Sequence, residues 1–237
     1  MYALCLCLFN QLRIPSEMAI SHNMFIRGLN AIHAQAEGIQ EEQVKGFSFF
    51  CISYFEMVHH HHQIEETYLF PIYDKKLGAH AMDNNVEQHH AFMDGLLDAE
   101  TYFKEVHAGT ASYSGATVTT KLNSFADALV LHLTEEIPTL DSNRLRAAFT
   151  KQDLKDMEDG IIKIILKDVS LFTTVPIGLI CHDKATASYF PPLPKPLLWA
   201  VQYGFSWRYN AAWSFGPCDI YGKLKSGLGN DTPAPGI

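Results

Sequence analysis

Four stretches of the chain each carry a stripe of positions spaced alternately four and three residues apart, and in every one a histidine interrupts an otherwise apolar run. That spacing keeps one helix face toward a common core. The first stripe is Met18, His22, Phe25, Leu29, Ile32 and Ala36; the second runs Phe47, Cys51, Tyr54, Val58, His61, Glu65, Tyr68 and Ile72. The third is Met82, Val86, His89, Met93 and Leu96, and the fourth, slightly looser, is Leu122, Phe125, Leu129, His132, Glu136 and Leu140. Short breaks at 37–40, 76–79 and 109–115 carry the glycines that end helices. Connections this short favour antiparallel neighbours, so the pattern predicts an all-α, up-down four-helix bundle over residues 16–150.

A glutamate follows the stripe histidine by four residues in the second and fourth stretches. Residues so spaced lie side by side on one helix face. His22 and His89 fall early in their helices, whereas His61, Glu65, His132 and Glu136 fall late in theirs. With a rise of about 1.5 Å per residue, an up-down bundle brings all six into one layer. Buried imidazoles and carboxylates are costly unless they share a partner, and a metal is the economical one. Imidazole and carboxylate without thiolate suit iron, zinc or manganese, and carboxylates able to bridge favour a two-metal centre. A single His-x-x-x-Glu is a weak signal, because exposed helices use such pairs for local support; its recurrence beside two further stripe histidines carries the argument.

The run His59, His60, His61, His62 requires a choice, because adjacent helix positions point about 100 degrees apart. The stripe selects His61 with Glu65. The alternative is His62 with Glu66, on a stripe of its own with Ile52, Phe55 and Leu69. His59 and His60 are placed on the rim, or behind the ligands as orienting partners, and His89 is preferred to His90. His33, His80, His107 and His182 read as surface or satisfied core residues.

The remainder divides into a leader, 1–15, and an extension, 151–237. The apolar run from Ala3 to Phe9 lacks a preceding basic residue and a following cleavage site, which argues against a secretory signal. No stretch is long enough to span a bilayer. Lys151 to Ser170 predicts a fifth, amphipathic helix with Leu154, Met157, Ile161, Ile164 and Ile165 on one side. Beyond it, Pro191, Pro192, Pro194 and Pro196 break regular structure, and Trp199, Trp207 and Trp213 follow in an aromatic segment expected to pack on the bundle. A net charge of −8 without a basic cluster excludes a phosphate-tracking nucleic-acid binder. Five dispersed cysteines fit a reducing compartment, hence the cytoplasm, better than a disulfide framework. Cys5 and Cys7 are read as small apolar residues rather than a chelating pair. Cys181 and His182 lack a third partner for nucleophilic catalysis, and no Gly-rich phosphate loop is present.

With His22-Asn23, the run from His59 through Glu66 to Leu69-Phe70-Pro71, Glu87-Gln88-His89 and His132-Leu-Thr-Glu-Glu136, the chain resembles the hemerythrin-like, or HHE cation-binding, family. It looks especially like the longer fungal-type members, with the tail from Ala212 to Asp219 also similar to theirs. The resemblance implies a non-heme centre of two irons, with manganese or zinc as other occupants, in which Glu65 and Glu136 bridge. Oxygen-carrying members add a second histidine four residues after the one in the third helix, and here that position is Met93. Losing that imidazole leaves a place for water, dioxygen or substrate at the iron nearest His89.

Two functions follow from the resemblance and the sequence together. In one, the centre activates dioxygen to oxidise, hydroxylate or cleave a small apolar organic substrate, with the aromatic tail forming a pocket over the bundle. Tyr54 and Tyr68, on the His61 stripe, are then candidates to supply a proton or electron, beside a plain packing role. In the other, the protein carries or senses dioxygen or iron without catalysis, and its tail packs against an outer face. A cavity lined by the tryptophans and opening onto Met93 is the expected mark of the enzyme.

Overall fold

A computed structural model describes residues 14–190 and 193–228. Most of the 1–15 leader, with Cys5 and Cys7, and the prolines Pro191 and Pro192 lie outside the described residues. The fold is all-α. Its helices are α1 (Ile14–Gln35), α2 (Val44–Ile64), α3 (Phe70–Leu77), α4 (Asp83–Ala108), α5 (Gly115–Asn123), α6 (Ala126–Thr139), α7 (Ser142–Ala148), α8 (Lys151–Asp168), α9 (Thr174–Cys181), α10 (Lys195–Tyr203) and α11 (Asn210–Trp213). Among the described residues, β pairing is confined to one bridge between Cys218 and Leu224. No helix among them is long and apolar enough to cross a membrane.

The bundle is a closed ring of neighbours in which α1 meets α2, α2 meets α4, α4 meets α6 and α6 returns to α1. The second stretch runs continuously through α2 and α3, joined by a π-helical turn at Glu65–Leu69. Pro71 explains the wide turn: it has no N–H to give to the Thr67 carbonyl and its ring crowds that position, so the Phe70 N–H reaches back five residues to Glu65 O. The fourth stretch, predicted as one helix, is two. Phe125 leaves helical geometry (φ −134°) between α5 and α6, and its Cβ presses on α4 where only Gly95 leaves room. Gly109, in the left-handed region at φ +75°, ends α4 while Thr110 N–H closes on Glu105 O.

Two apolar clusters fill the bundle. The larger packs Phe25, Ile32, Phe50, Phe55, Phe103 and Leu129 among others, and the smaller packs Met18, Phe70, Met82, Leu140, Leu154 and Met157. His22 falls in sequence between Met18 and Phe25, His61 between Val58 and Leu69, and His132 between Leu129 and Leu140. The polar layer therefore sits between the two clusters. α7 and α8 cover the smaller one; α8 is the predicted fifth helix, begun by a reciprocal pair between Thr150 and Asp153.

In α4 the inward register differs from the expected stripe. Asn85, His89, Phe92, Leu96, Ala99 and Phe103 are buried, whereas Val86 and Met93 are only partly so. The extension, to which the sequence assigns no regular elements after α8, forms α9, α10 and α11. α9 lies on α1 and α2, and α11 on α2. α9 is apolar all round and buried, and so has no amphipathic signature to read.

Candidate metal centre

Five histidines and two glutamates meet in the layer between the apolar clusters. His22, His62, Glu65, His89, His132 and Glu136 are at most 2% exposed, and the His61 side chain is 20% exposed. The structure brings together all six residues that the stripes select and adds His62, so His61 and His62 do not exclude one another. Ligand atoms of His22, His61 and Glu65 lie within 4.8 Å of one another, and so do those of His62, Glu65, His89 and His132. Glu65 belongs to both groups.

Its carboxylate spans them, with Oε1 2.9 Å from His61 Nε2 and Oε2 3.6 Å from His89 Nε2. Glu136 Oε2 stands between them as well, 3.2 Å from His22 Nε2 and 3.6 Å from His132 Nε2. Across the layer, His89 Nε2 is 3.0 Å from His132 Nε2, and His22 Nε2 is 3.4 Å from His61 Nε2.

The outer nitrogens fix which ring atom faces inward. His22 Nδ1 donates to Leu133 O at 2.7 Å, His62 Nδ1 to Val58 O at 2.8 Å, His89 Nδ1 to Glu66 Oε1 at 2.7 Å and His132 Nδ1 to Gln88 Oε1 at 3.3 Å. A neutral imidazole with Nδ1 protonated presents a bare lone pair at Nε2. Four such lone pairs therefore point at two carboxylates that also lack donors, since both oxygens of Glu65 and of Glu136, and His62 Nε2, are buried without a hydrogen bond. Acceptors facing acceptors need a cation or shared protons between them, and this donor set fits one or more metal ions held by nitrogen and oxygen.

The charges agree. Burial lowers His61 to about 4 and His132 to about 3, so both rings stay neutral at pH 7 and available to a metal. Burial, reinforced by the charge of Glu136, pushes Glu65 well above the usual carboxylate range. Burial also pushes Glu136 upward, but His22 and the neighbouring rings hold it below its ordinary value. Without a cation one carboxyl of the pair keeps its proton; a cation removes the need for it.

Several expectations need correction. Glu66 does not join the ligand atoms with His62; it stands behind His89. Met93 does not face the layer, and beside His89 stands an imidazole from another helix, His62 on α2, with ring centroids 4.7 Å apart. Phe92 rather than Met93 lies against His62, at 4.9 Å, and His132, at 5.6 Å. Tyr54 donates its hydroxyl to Phe25 O at 2.8 Å and Tyr68 to Met157 O at 3.3 Å, so both are engaged in packing. The phenol that the charges of Glu136 and Glu65 help burial to keep protonated is Tyr73, which the sequence reading passed over.

The tail does enclose a cavity, but not the expected one. A cleft of about 440 Å³ lies between α1, α2 and the segments around α8 and α9, and His61 is among its lining residues. Met24, Phe25, Met57, Ile64, Val175 and Phe190 are among its walls, and no tryptophan is. Trp199 and Trp207 are 62% and 71% exposed, while Trp213 is buried against Phe49.

A buried layer of imidazoles and carboxylates inside a four-helix ring defines a cation-binding helical bundle. The chain belongs to the hemerythrin HHE cation-binding domain family, whose model matches residues 14–138. It is also similar to a dimeric xanthone biosynthesis cluster protein of Cryptosporiopsis sp. (strain 8999), 31% identical over 220 residues that cover 89% of this chain and 80% of the relative. No solved structure gives a significant match.

Proposed function

We propose that the layer holds two irons and that the protein uses them with dioxygen to oxidise, hydroxylate or cleave a small organic substrate. His22 and His61 would hold one metal, His62, His89 and His132 the other, with Glu65 and Glu136 between them. When bound, the irons supply the electrons that reduce dioxygen. The chain's own residues do the rest. Leu133 O, Val58 O, Glu66 and Gln88 fix the rings so that Nε2 faces inward. Phe25, Phe70 and Phe92 pack against the imidazoles and exclude water from the layer.

The observation that carries this reading is the cleft: the one member of the layer that is not fully buried, His61, lines a mostly apolar cavity large enough for a small organic molecule. A carrier of dioxygen needs no such chamber. The relative named for a biosynthesis cluster supports a synthetic role as well. Manganese or zinc would satisfy the same donors, so metal identity belongs to the test. Protein loaded anaerobically with ferrous iron is expected to bind near two irons per chain and, on admission of dioxygen, to give a visible band that decays as dioxygen is consumed. A stable band reversed by removing oxygen would replace this reading with the carrier or sensor. Failure to bind iron would refute it.

A further inference from the structure

The cleft over His61 is chemically one-sided. Neither lysine nor arginine lines it, whereas two carboxylates, Glu56 and Asp168, do. An acid, a phosphate or a fatty carboxylate entering it would meet apolar wall and like charge, with no cation to replace its water. Glu56 is turned toward Lys104, 3.6 Å from its Nζ. Asp168, at the end of α8, lies near enough for its charge to act on His60.

His60 also lines the cleft, and its ring is partly exposed. Its Nδ1 is buried with no hydrogen-bond partner, which leaves Nε2 as the nitrogen open to a ligand. A buried N–H without an acceptor is costly, so the proton belongs on Nε2, where it can be donated. Both line the cleft, so a donor from His60 and an acceptor from Asp168 are the two halves of a site for a hydroxyl group. Much of the remaining lining is apolar, with Met24, Phe25, Met57, Ile165 and Phe190 in it, and Phe25 in turn packs on His61 with ring centroids 4.8 Å apart.

We propose that the cleft binds a neutral, largely apolar ring compound bearing a hydroxyl, whose oxygen accepts from His60 Nε2–H and whose O–H donates to Asp168, while its body lies along Phe25 over His61. His60 is then a substrate-positioning residue, and α8 and α9 close the chamber from the side of the extension. That the bound molecule is oxidised rests on the proposed function above; that it binds, and by which group, does not.

The test separates the two. Iron-loaded protein kept under nitrogen, its metal counted on the same sample, is titrated calorimetrically with 2-naphthol, with 2-naphthoate and with 2-methoxynaphthalene. We expect 2-naphthol to bind at least tenfold more tightly than either of the others, since each lacks one half of the hydrogen-bonded pair or carries the excluded charge. His60→Phe and Asp168→Ala should each weaken 2-naphthol about tenfold with metal content unchanged. Asp168 is exposed, so its variant keeps the fold. Gly178→Leu should abolish binding, because a side chain there meets nothing nearer than Met24 Cε at 3.8 Å and extends into the cleft. Equal affinity for 2-naphthoate, or wild-type affinity in Asp168→Ala, overturns the proposal. A protein that holds no iron yet discriminates the three probes would overturn the oxygen-activation reading and leave this one standing.

Discussion

Glu66 accepts the Nδ1–H of His89 at 2.7 Å, and by doing so it turns the His89 Nε2 lone pair toward the ligand atoms of the layer. Carboxylates placed behind a ligating imidazole fix its tautomer and raise its basicity, and their loss commonly costs 10- to 100-fold in metal affinity. Glu66→Ala should therefore weaken metal binding by about that factor in a competition titration against a chelator. Glu66→Gln, which keeps an acceptor oxygen, should lose less. Equal binding by wild type and Glu66→Ala would remove Glu66 from any supporting role.

His62 and Glu65 should separate by stoichiometry. His62 reaches only the group that contains His89 and His132, whereas Glu65 belongs to both groups. His62→Ala is expected to bind about one iron per chain and Glu65→Ala less than one, measured on folded protein by elemental analysis. Two irons retained in His62→Ala would return the inner-shell role to the six residues selected by the stripes alone.

Acid should destabilise the metal-free protein. Burial holds His61 at about 4 and His132 at about 3 in the folded chain, and also lowers His62 and His89. The unfolded chain protonates these rings near the ordinary value of about 6.5. As pH falls through that value, the unfolded state gains protons that the folded state refuses, and each ring removes up to about 1.4 kcal/mol per pH unit. Glu65, raised by burial, works in the opposite sense, because the folded state keeps a proton there that the unfolded state releases. Four rings outweigh one carboxyl. The thermal midpoint of chelator-treated protein should be lower at pH 5 than at pH 7, and a midpoint that rises on acidification would contradict the burial of these rings.

Gly28 is where α1, α2 and α9 come together. A Cβ at this position would overlap the ring of Tyr54 and come within 3.3 Å of Cys181 Sγ. Tyr54 is fully buried and tied to Phe25 O, so it cannot withdraw. Gly28→Ala should lower stability by about 2 kcal/mol in denaturant unfolding, since overpacking a core exceeds the helix-propensity gain of about 1 kcal/mol. A neutral outcome would mean that α1 does not pack on the Tyr54 ring as closely as the Gly28 contact indicates.

The helix periods, the breaks between the four stretches and the matching heights of four histidines were legible in the chain, because each depends only on local spacing, whereas the break at Phe125 inside the fourth stretch was not. The register of α4 was not. Met82, Val86, His89, Met93 and Leu96 and the observed Asn85, His89, Phe92, Leu96 and Ala99 share His89 and Leu96, so two apolar stripes cross at the same anchors. Packing against Phe125 and the other rings decides between them. His62 was kept only as the alternative to His61 for a related reason. One stripe faces one point, but the layer is wide enough for two groups of ligand atoms, and adjacent positions on α2 each serve one of them. The second stripe through His62, with Ile52, Phe55 and Leu69, was the signal within reach of the sequence.

By itself the sequence determined an all-α bundle with a shared imidazole and carboxylate layer, because buried groups of that kind at those spacings have few other stable arrangements. Only the tertiary structure decided how Glu65 spans the layer and which face opens to a ligand. It also decided that the extension, rather than its tryptophans, walls the cleft over His61. Those outcomes depend on close approaches between residues far apart in the chain, such as Met24 with Gly178 and Tyr54 with Gly28. Periodicity records which face of a helix turns inward, and carries no information about which distant surface will meet it.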